Sequence, residues 1–329
     1  MYKRSTIFKN SLIIFILIQA NFIASTTTGS SMPASTTTTT TKCGTTSGTN
    51  KFTYTNVLDD ANGSVTGFPG GYRLISANGC PGYDWTSQRT PNTPYEQILS
   101  IKLPLQPKVS TSTYTIGIKN PDGSSNSSPP LLGVGIAING VAIYGNADGE
   151  GRDAYINESN SFDTCGGHPQ PTGEYHYHSE PGKDCVFTDV SGQHSPLFGF
   201  MYDGIPIYGE YGDNGVAPVD LDQCGGHVDK TYPFYHYHLP KDKAFPYTLT
   251  CLKGCIYSDN GNPNIATTAV TTVSTCKMQT TQYDYSSLFT SVKQTSNSTT
   301  TTTTGARALV CLNFFVIMLL LFLLFWFNI

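Results

Sequence analysis

Six of the seven histidines fall in two copies of one pattern. Cys165-Gly166-Gly167-His168 is followed by Tyr175-His176-Tyr177-His178. Cys224-Gly225-Gly226-His227 is followed by Tyr235-His236-Tyr237-His238. The seventh, His194, lies between them. Neutral imidazole is a ligand for zinc and copper. Strict alternation with aromatics reads as a β-strand, in which residues i and i+2 share a face. His176 and His178 therefore point one way and Tyr175 and Tyr177 the other; His236 and His238 repeat this. Their stems lie about 6–7 Å apart, within reach of a shared ion. The glycines ahead of His168 and His227 let the backbone turn sharply and bring in a third imidazole. The expected ligand sets are His168, His176, His178 and His227, His236, His238. Three protein ligands with an open position is the pattern of catalytic zinc. The two triplets are expected as separate sites or as one site merged across the repeat.

A purely structural role is the alternative, with buried tyrosines and histidines that only hydrogen-bond nearby backbone. Cys165 and Cys224 are expected in disulfides rather than on a metal. Glu174 and Glu180 flank only the first unit, so no shared general base is assigned and the catalytic residues are unknown. Asp163 and Asp222, each two residues before the cysteine, either orient imidazoles or cap a turn.

The strands that must carry these units are legible upstream of each. Leu132–Ile138, Asn139-Gly140 and Val141–Tyr144 read as a hairpin, as do Leu197–Tyr202, Asp203-Gly204 and Ile205–Tyr208. Both turns are expected as type I′, with positive φ twice. Pro206 puts its strand at an edge or makes it start late. Each copy runs hairpin, loop, Cys-Gly-Gly-His, Tyr-His-Tyr-His. Two copies are too few for a solenoid. The expected fold is mainly β: a duplicated, hairpin-containing core with pseudo-two-fold symmetry, stapled by disulfides, with few or no long helices. Lys51–Pro107 reads as irregular β structure, Tyr114–Ile118 as a strand, and Cys251–Cys255 as a tight loop.

Outside the core the chain has other business. Residues 1–25 have the charged, apolar and small-residue layout of a signal peptide. Residues 26–50 form a Ser/Thr-rich stalk. The ectodomain is expected over 51–278, with the repeat at 131–240, then a threonine-rich stalk over 279–305. Residues 306–329 are an apolar tail without a basic flank, the signature of a glycosylphosphatidylinositol signal more than of a retained helix. Asn297 is the expected attachment residue. Excluding Cys311 of the tail, eight cysteines remain, an even count that fits disulfides in an oxidising compartment. Asn62, Asn126 and Asn157 begin glycosylation sequons. Net charge is −4 with no basic stripe, which argues against nucleic acid. The expected location is the outer face of the plasma membrane.

With Tyr202-Asp-Gly-Ile-Pro-Ile-Tyr-Gly209, the paired motifs resemble the YHYH domain family over residues 131–240. That resemblance implies no particular reaction. The expectation is a cell-surface protein that binds a transition metal, zinc or copper, through its histidines. The alternatives are a surface metalloenzyme, hydrolytic or oxidative, and a disulfide-stapled structural protein.

Overall fold

The computed structural model describes residues 41–46, 48–86, 92–116, 133–182, 184–257 and 276–288, with the backbone of Thr300–Thr303. The expected signal peptide, most of both expected stalks, Asn126, Asn297 and the apolar tail lie outside the described residues. Among the described residues no helix is long and apolar enough to cross a membrane.

The protein is mainly β. Strands β1 (Phe52–Leu58), β2 (Gly71–Ala77) and β3 (Leu99–Pro104) form an antiparallel meander, with a parallel edge strand at Thr300–Thr303 beside β1. This corrects the expectation of irregular structure over Lys51–Pro107. The alternation was masked because the inward row of β1 and β2 includes Asn56 and Arg73. Arg73 is 4% exposed. Its guanidinium stacks on the Tyr54 and Phe200 rings, at 5.2 and 4.4 Å, and its Nε donates to Asn56 Oδ1 at 3.4 Å. Aromatic faces thus stand in for a carboxylate, and burial lowers its pKa to about 10.

β4 (Val109–Thr115) starts and ends earlier than the sequence indicates. It pairs with β13 (Cys251–Gly254), so the expected loop at Cys251–Cys255 is a strand.

Among the described residues the central sheet has eight strands. The first hairpin is β5 (Gly133–Ala137) and β6 (Ala142–Tyr144), and the second is β9 (Leu197–Met201) and β10 (Pro206–Tyr208). A five-residue helix α1 (Ala154–Glu158) lies between β6 and β7 (Gly167–Pro169). β8 (Tyr175–Tyr177) carries the first Tyr-His-Tyr-His. β11 (Gly226–His227) and β12 (His236–His238) carry the second unit. The strand order is β11-β12-β10-β9-β5-β6-β8-β7. Read outward from the β9–β5 pair, each half has a hairpin, then a strand parallel to its second arm, then an antiparallel edge. The central register pairs Gly135 with Met201, Ile136 with Phe200 and Ala137 with Gly199. Shifting by the 64 residues that separate Asn139 from Asp203 maps this set of pairs onto itself.

The hairpin turns differ from the expected type I′. Gly140 N donates to Ala137 O (2.9 Å) and Ala137 N to Val141 O (2.8 Å); Gly204 N donates to Met201 O (2.8 Å) and Met201 N to Ile205 O (3.0 Å). Only the glycines have positive φ, +87° and +83°. These are three-residue loops with a glycine bulge. A Cβ at Gly140 would meet Ala77 Cβ at 2.9 Å, and at Gly204 Pro104 Cγ at 2.5 Å. Both turns thus rest on the β1–β3 meander and demand glycine twice over. Pro206 begins β10, which is an interior strand; the proline starts it late and does not place it at an edge.

Four disulfides join the eight cysteines as Cys43–Cys80, Cys165–Cys185, Cys224–Cys251 and Cys255–Cys276. They suit an extracellular, oxidising setting. They also remove Cys165 and Cys224 as metal ligands.

Candidate metal centres

The alternation in β8 and β12 separates two jobs. The tyrosines serve the fold. Tyr83 Oη lies 2.7 Å from Tyr175 Oη and 3.0 Å from Tyr177 Oη. Tyr175 also donates to Asp163, and Tyr235 to Asp222. Asp163 Oδ1 accepts from Cys165 N (2.8 Å) and Gly167 N (3.2 Å), and Asp222 Oδ1 does the same for Cys224 N and Gly226 N. Of the two roles open to these aspartates, the structure gives turn capping plus a tyrosine contact, and no imidazole.

On the opposite face the histidines converge. His176 Nε2 and His178 Nε2 are 3.1 Å apart, and one nitrogen from each of His168, His176 and His178 falls within a 4.8 Å group. In the second half His236 Nε2 and His238 Nε2 are 3.2 Å apart. Here His194 and Asp229 complete the close group. His194 Nε2 is 3.4 Å from His236 Nε2 and 3.3 Å from Asp229 Oδ2. His227 stands slightly back; its Nε2 is 3.8 Å from Asp229 Oδ2, and its ring centre is 4.9 Å from that of His236. Four strands lie between β8 and β12, about 24 Å along the sheet at ~4.8 Å per strand. The two triplets are separate centres, which corrects the idea of one merged site.

Every ring has its Nδ1 committed elsewhere. His176 Nδ1 donates to Glu174 O, His178 to Gly145 O, His194 to Ser195 O, His236 to Phe234 O and His238 to Gly209 O, at 2.7–3.2 Å. His168 Nδ1 meets Ser161 Oγ at 2.6 Å, and that hydroxyl gives its own proton to Glu158 O. His227 Nδ1 donates to Asp220 Oδ1 at 2.8 Å. This pattern assigns the proton to Nδ1 and leaves an Nε2 lone pair facing inward.

The electrostatics agree. Burial is the largest cause in each case. It pulls His168 to about 3, with His178 adding to the effect, and His178 to about 4. It pulls His236 to about 4 and His238 to about 2, and holds His176 well below the ordinary imidazole range. These rings are neutral at pH 7, so bare lone pairs face one another at 3.1–3.4 Å. His168 Nε2, His227 Nε2 and Asp229 Oδ2 are buried and have no hydrogen-bond partner. Buried acceptors left this way are costly unless a cation joins them. The donor set fits a transition ion: bonds of about 2.0–2.1 Å in tetrahedral geometry require nitrogens roughly 3.3 Å apart. Aromatic rings hold the imidazoles in place. Tyr144 stacks on His176 at 3.8 Å, and Phe162 on His178 at 5.7 Å.

Sequence reasoning named all six repeat histidines and missed three neighbours. His194 is the leftover histidine, and its uniqueness was the available signal. Asp229 follows His227 by two residues. Glu158, from α1, lies 3.7 Å from both His168 Nε2 and His178 Nε2; nothing in its spacing points to the site.

No curated protein and no solved structure matches the chain. A family model does, described as YHYH protein, over residues 100–219. The match starts before the first hairpin and ends between the second hairpin and the second Cys-Gly-Gly-His, so its bounds differ from the repeat read in the sequence. It takes in His168, His176, His178 and His194, so over these residues the chain is similar to the YHYH family.

Proposed function

We propose that this protein is an extracellular binder of two transition-metal ions, zinc or copper. The first centre uses His168, His176 and His178 with Glu158 beside them. The second uses His236, His238, His194 and Asp229, with His227 adjoining. One observation carries this reading: neutral imidazoles, their Nδ1 protons given away, aim Nε2 lone pairs at a common point in each half. Hydrogen-bonded structural histidines would not need that convergence. Metal analysis of the purified ectodomain should find two ions per chain. His176→Ala/His178→Ala and His236→Ala/His238→Ala should each remove one. A folded ectodomain that takes up no zinc or copper refutes the reading.

The four disulfides support placement outside the cell. The apolar tail over residues 306–329, with its polar spacer and small residues near Asn297, supports a lipid anchor. Phosphatidylinositol-specific phospholipase C should release the protein from intact cells. Recovery of the intact tail from the mature protein would contradict this part of the proposal.

A further inference from the structure

The two centres are built from the same motif but are not filled alike. Aligning Cys165 with Cys224 and His168 with His227 puts Gln170 opposite Asp229. Asp229 Oδ2 turns into the second centre, within 3.3–3.9 Å of His194, His227 and His236 Nε2. Gln170 instead lies along the wall of the first centre, its Nε2 donating to Glu174 Oε2 at 2.9 Å. Among the described residues His194 has no counterpart either. Sixty-four residues earlier, by the offset of the two hairpins, the chain has Pro130, which offers no side-chain donor atom. The second centre therefore has up to four imidazoles and a carboxylate. His194 and Asp229 side chains there are 3% and 7% exposed.

The first centre has three imidazoles and faces a cavity of about 370 Å³. His168, His176 and His178 line that cavity together with Glu158, Asn92 and Gln170. The Glu158 side chain is 31% exposed against 7% for Asp229, and at 3.7 Å it stands beside the histidine nitrogens on the cavity wall. Arg152, on the same wall, is already paired with Asp148 (2.7 Å) and Glu150 (2.9 Å). With that cation neutralised, the wall presents a carboxylate and two carboxamides.

Resting on the two-metal reading, we infer that the first centre takes an exogenous ligand on its metal through the cavity, while protein side chains saturate the second. The chemical class that suits the walls is a small neutral molecule bearing hydroxyl or amide groups. One of its oxygens would bind the metal, and its other polar groups would hydrogen-bond Glu158, Asn92 and Gln170. A large anion is disfavoured by the acidic wall. A compact anion such as azide can still reach the ion and serves as a probe of the open position.

The test uses the copper(II)-loaded ectodomain, with bound copper measured in each sample. His236→Ala/His238→Ala keeps only the first centre, and His176→Ala/His178→Ala only the second. Titration with azide, followed by visible absorption and electron paramagnetic resonance, should give a saturable change in the former and none in the latter. His194→Ala/Asp229→Ala, which leaves three imidazoles as in the first centre, should make the second centre respond. If a double variant fails to fold, wild-type protein with two coppers decides: half of the resonance signal should shift. A response from the second centre alone, an equal response from both, or none from a copper-loaded first centre overturns the inference. Absence of bound copper in folded wild-type protein instead removes the two-metal reading beneath it.

Discussion

The pair Asn139 and Asp203 shows how one position is tuned by its partners. Both side chains cap their own turn, accepting from Val141 N (3.3 Å) and Ile205 N (3.0 Å). Beyond the turn they diverge. Asn139 Nδ2 donates to Pro81 O and lies 3.0 Å from Tyr177 Oη. Asp203 Oδ2 accepts from Tyr237 Oη (2.6 Å) and Gly254 N (2.8 Å). An amide at 203 would set a donor against donors in a fully buried site. Asp203→Asn should therefore cost about 1–3 kcal/mol in denaturant unfolding at pH 7, despite being nearly isosteric. An unchanged midpoint would show that the site relaxes. Asp203 lies at the core face beneath β12, away from the histidines, so a catalytic role for it has no support in its position. The sequence showed the turn role of both residues. It could not show the second partners, because Pro81, Gly254 and the tyrosines are brought there by other strands.

At the scale of the elements, β8 and β12 were the most legible parts of the chain. Their period of two fixes which side chains share a face, whatever surrounds them. The three-histidine sets followed from that alternation plus a turn. Glu158, His194 and Asp229 were not legible, since α1 and the loops that bring them have no repeat partner. The β1–β2 pair was obscured for the opposite reason, a polar row facing in. Packing both faces of β8 and β12 also sets a pH dependence. In the metal-free protein the buried imidazoles bind protons more weakly than in the unfolded chain. For His178 the window runs from the ordinary 6.5 down to about 4. Within it the unfolded state takes up more protons, so stability falls as pH falls. Each histidine still neutral in the fold contributes about 1.4 kcal/mol of loss per pH unit. Unfolding midpoints of metal-free wild type should drop between pH 6.5 and 4, and His178→Ala should weaken that slope. Proton competition with metal should begin lower than the 6.5 expected for an exposed imidazole. An unchanged slope in the variant would mean that His178 titrates normally.

Across the whole molecule, the eight-stranded sheet carries one centre toward each end, and each is tied to the rest by its own disulfide. Cys165–Cys185 closes the first unit on the segment leaving β8, whereas Cys224–Cys251 joins the second to β13. Metal should therefore stabilise the two ends independently rather than act as one cross-link. An ion held at a hundred times its dissociation constant stabilises the folded chain by about 2.7 kcal/mol. For a domain of this size each kilocalorie is worth roughly 2–4 °C in Tm. Removing both ions with a chelator should lower Tm by on the order of 10–20 °C, and either double-alanine variant should show about half of that chelator-dependent shift. The disulfides should keep the chelated protein folded at room temperature, because they constrain the unfolded chain whether or not metal is present. Adding zinc back in steps to the chelated protein should raise Tm through two separable stages, the second centre filling first because it offers more donor atoms. A single stage that vanishes in both variants would mean that the two ends are coupled, and that the sheet between them transmits what happens at either site.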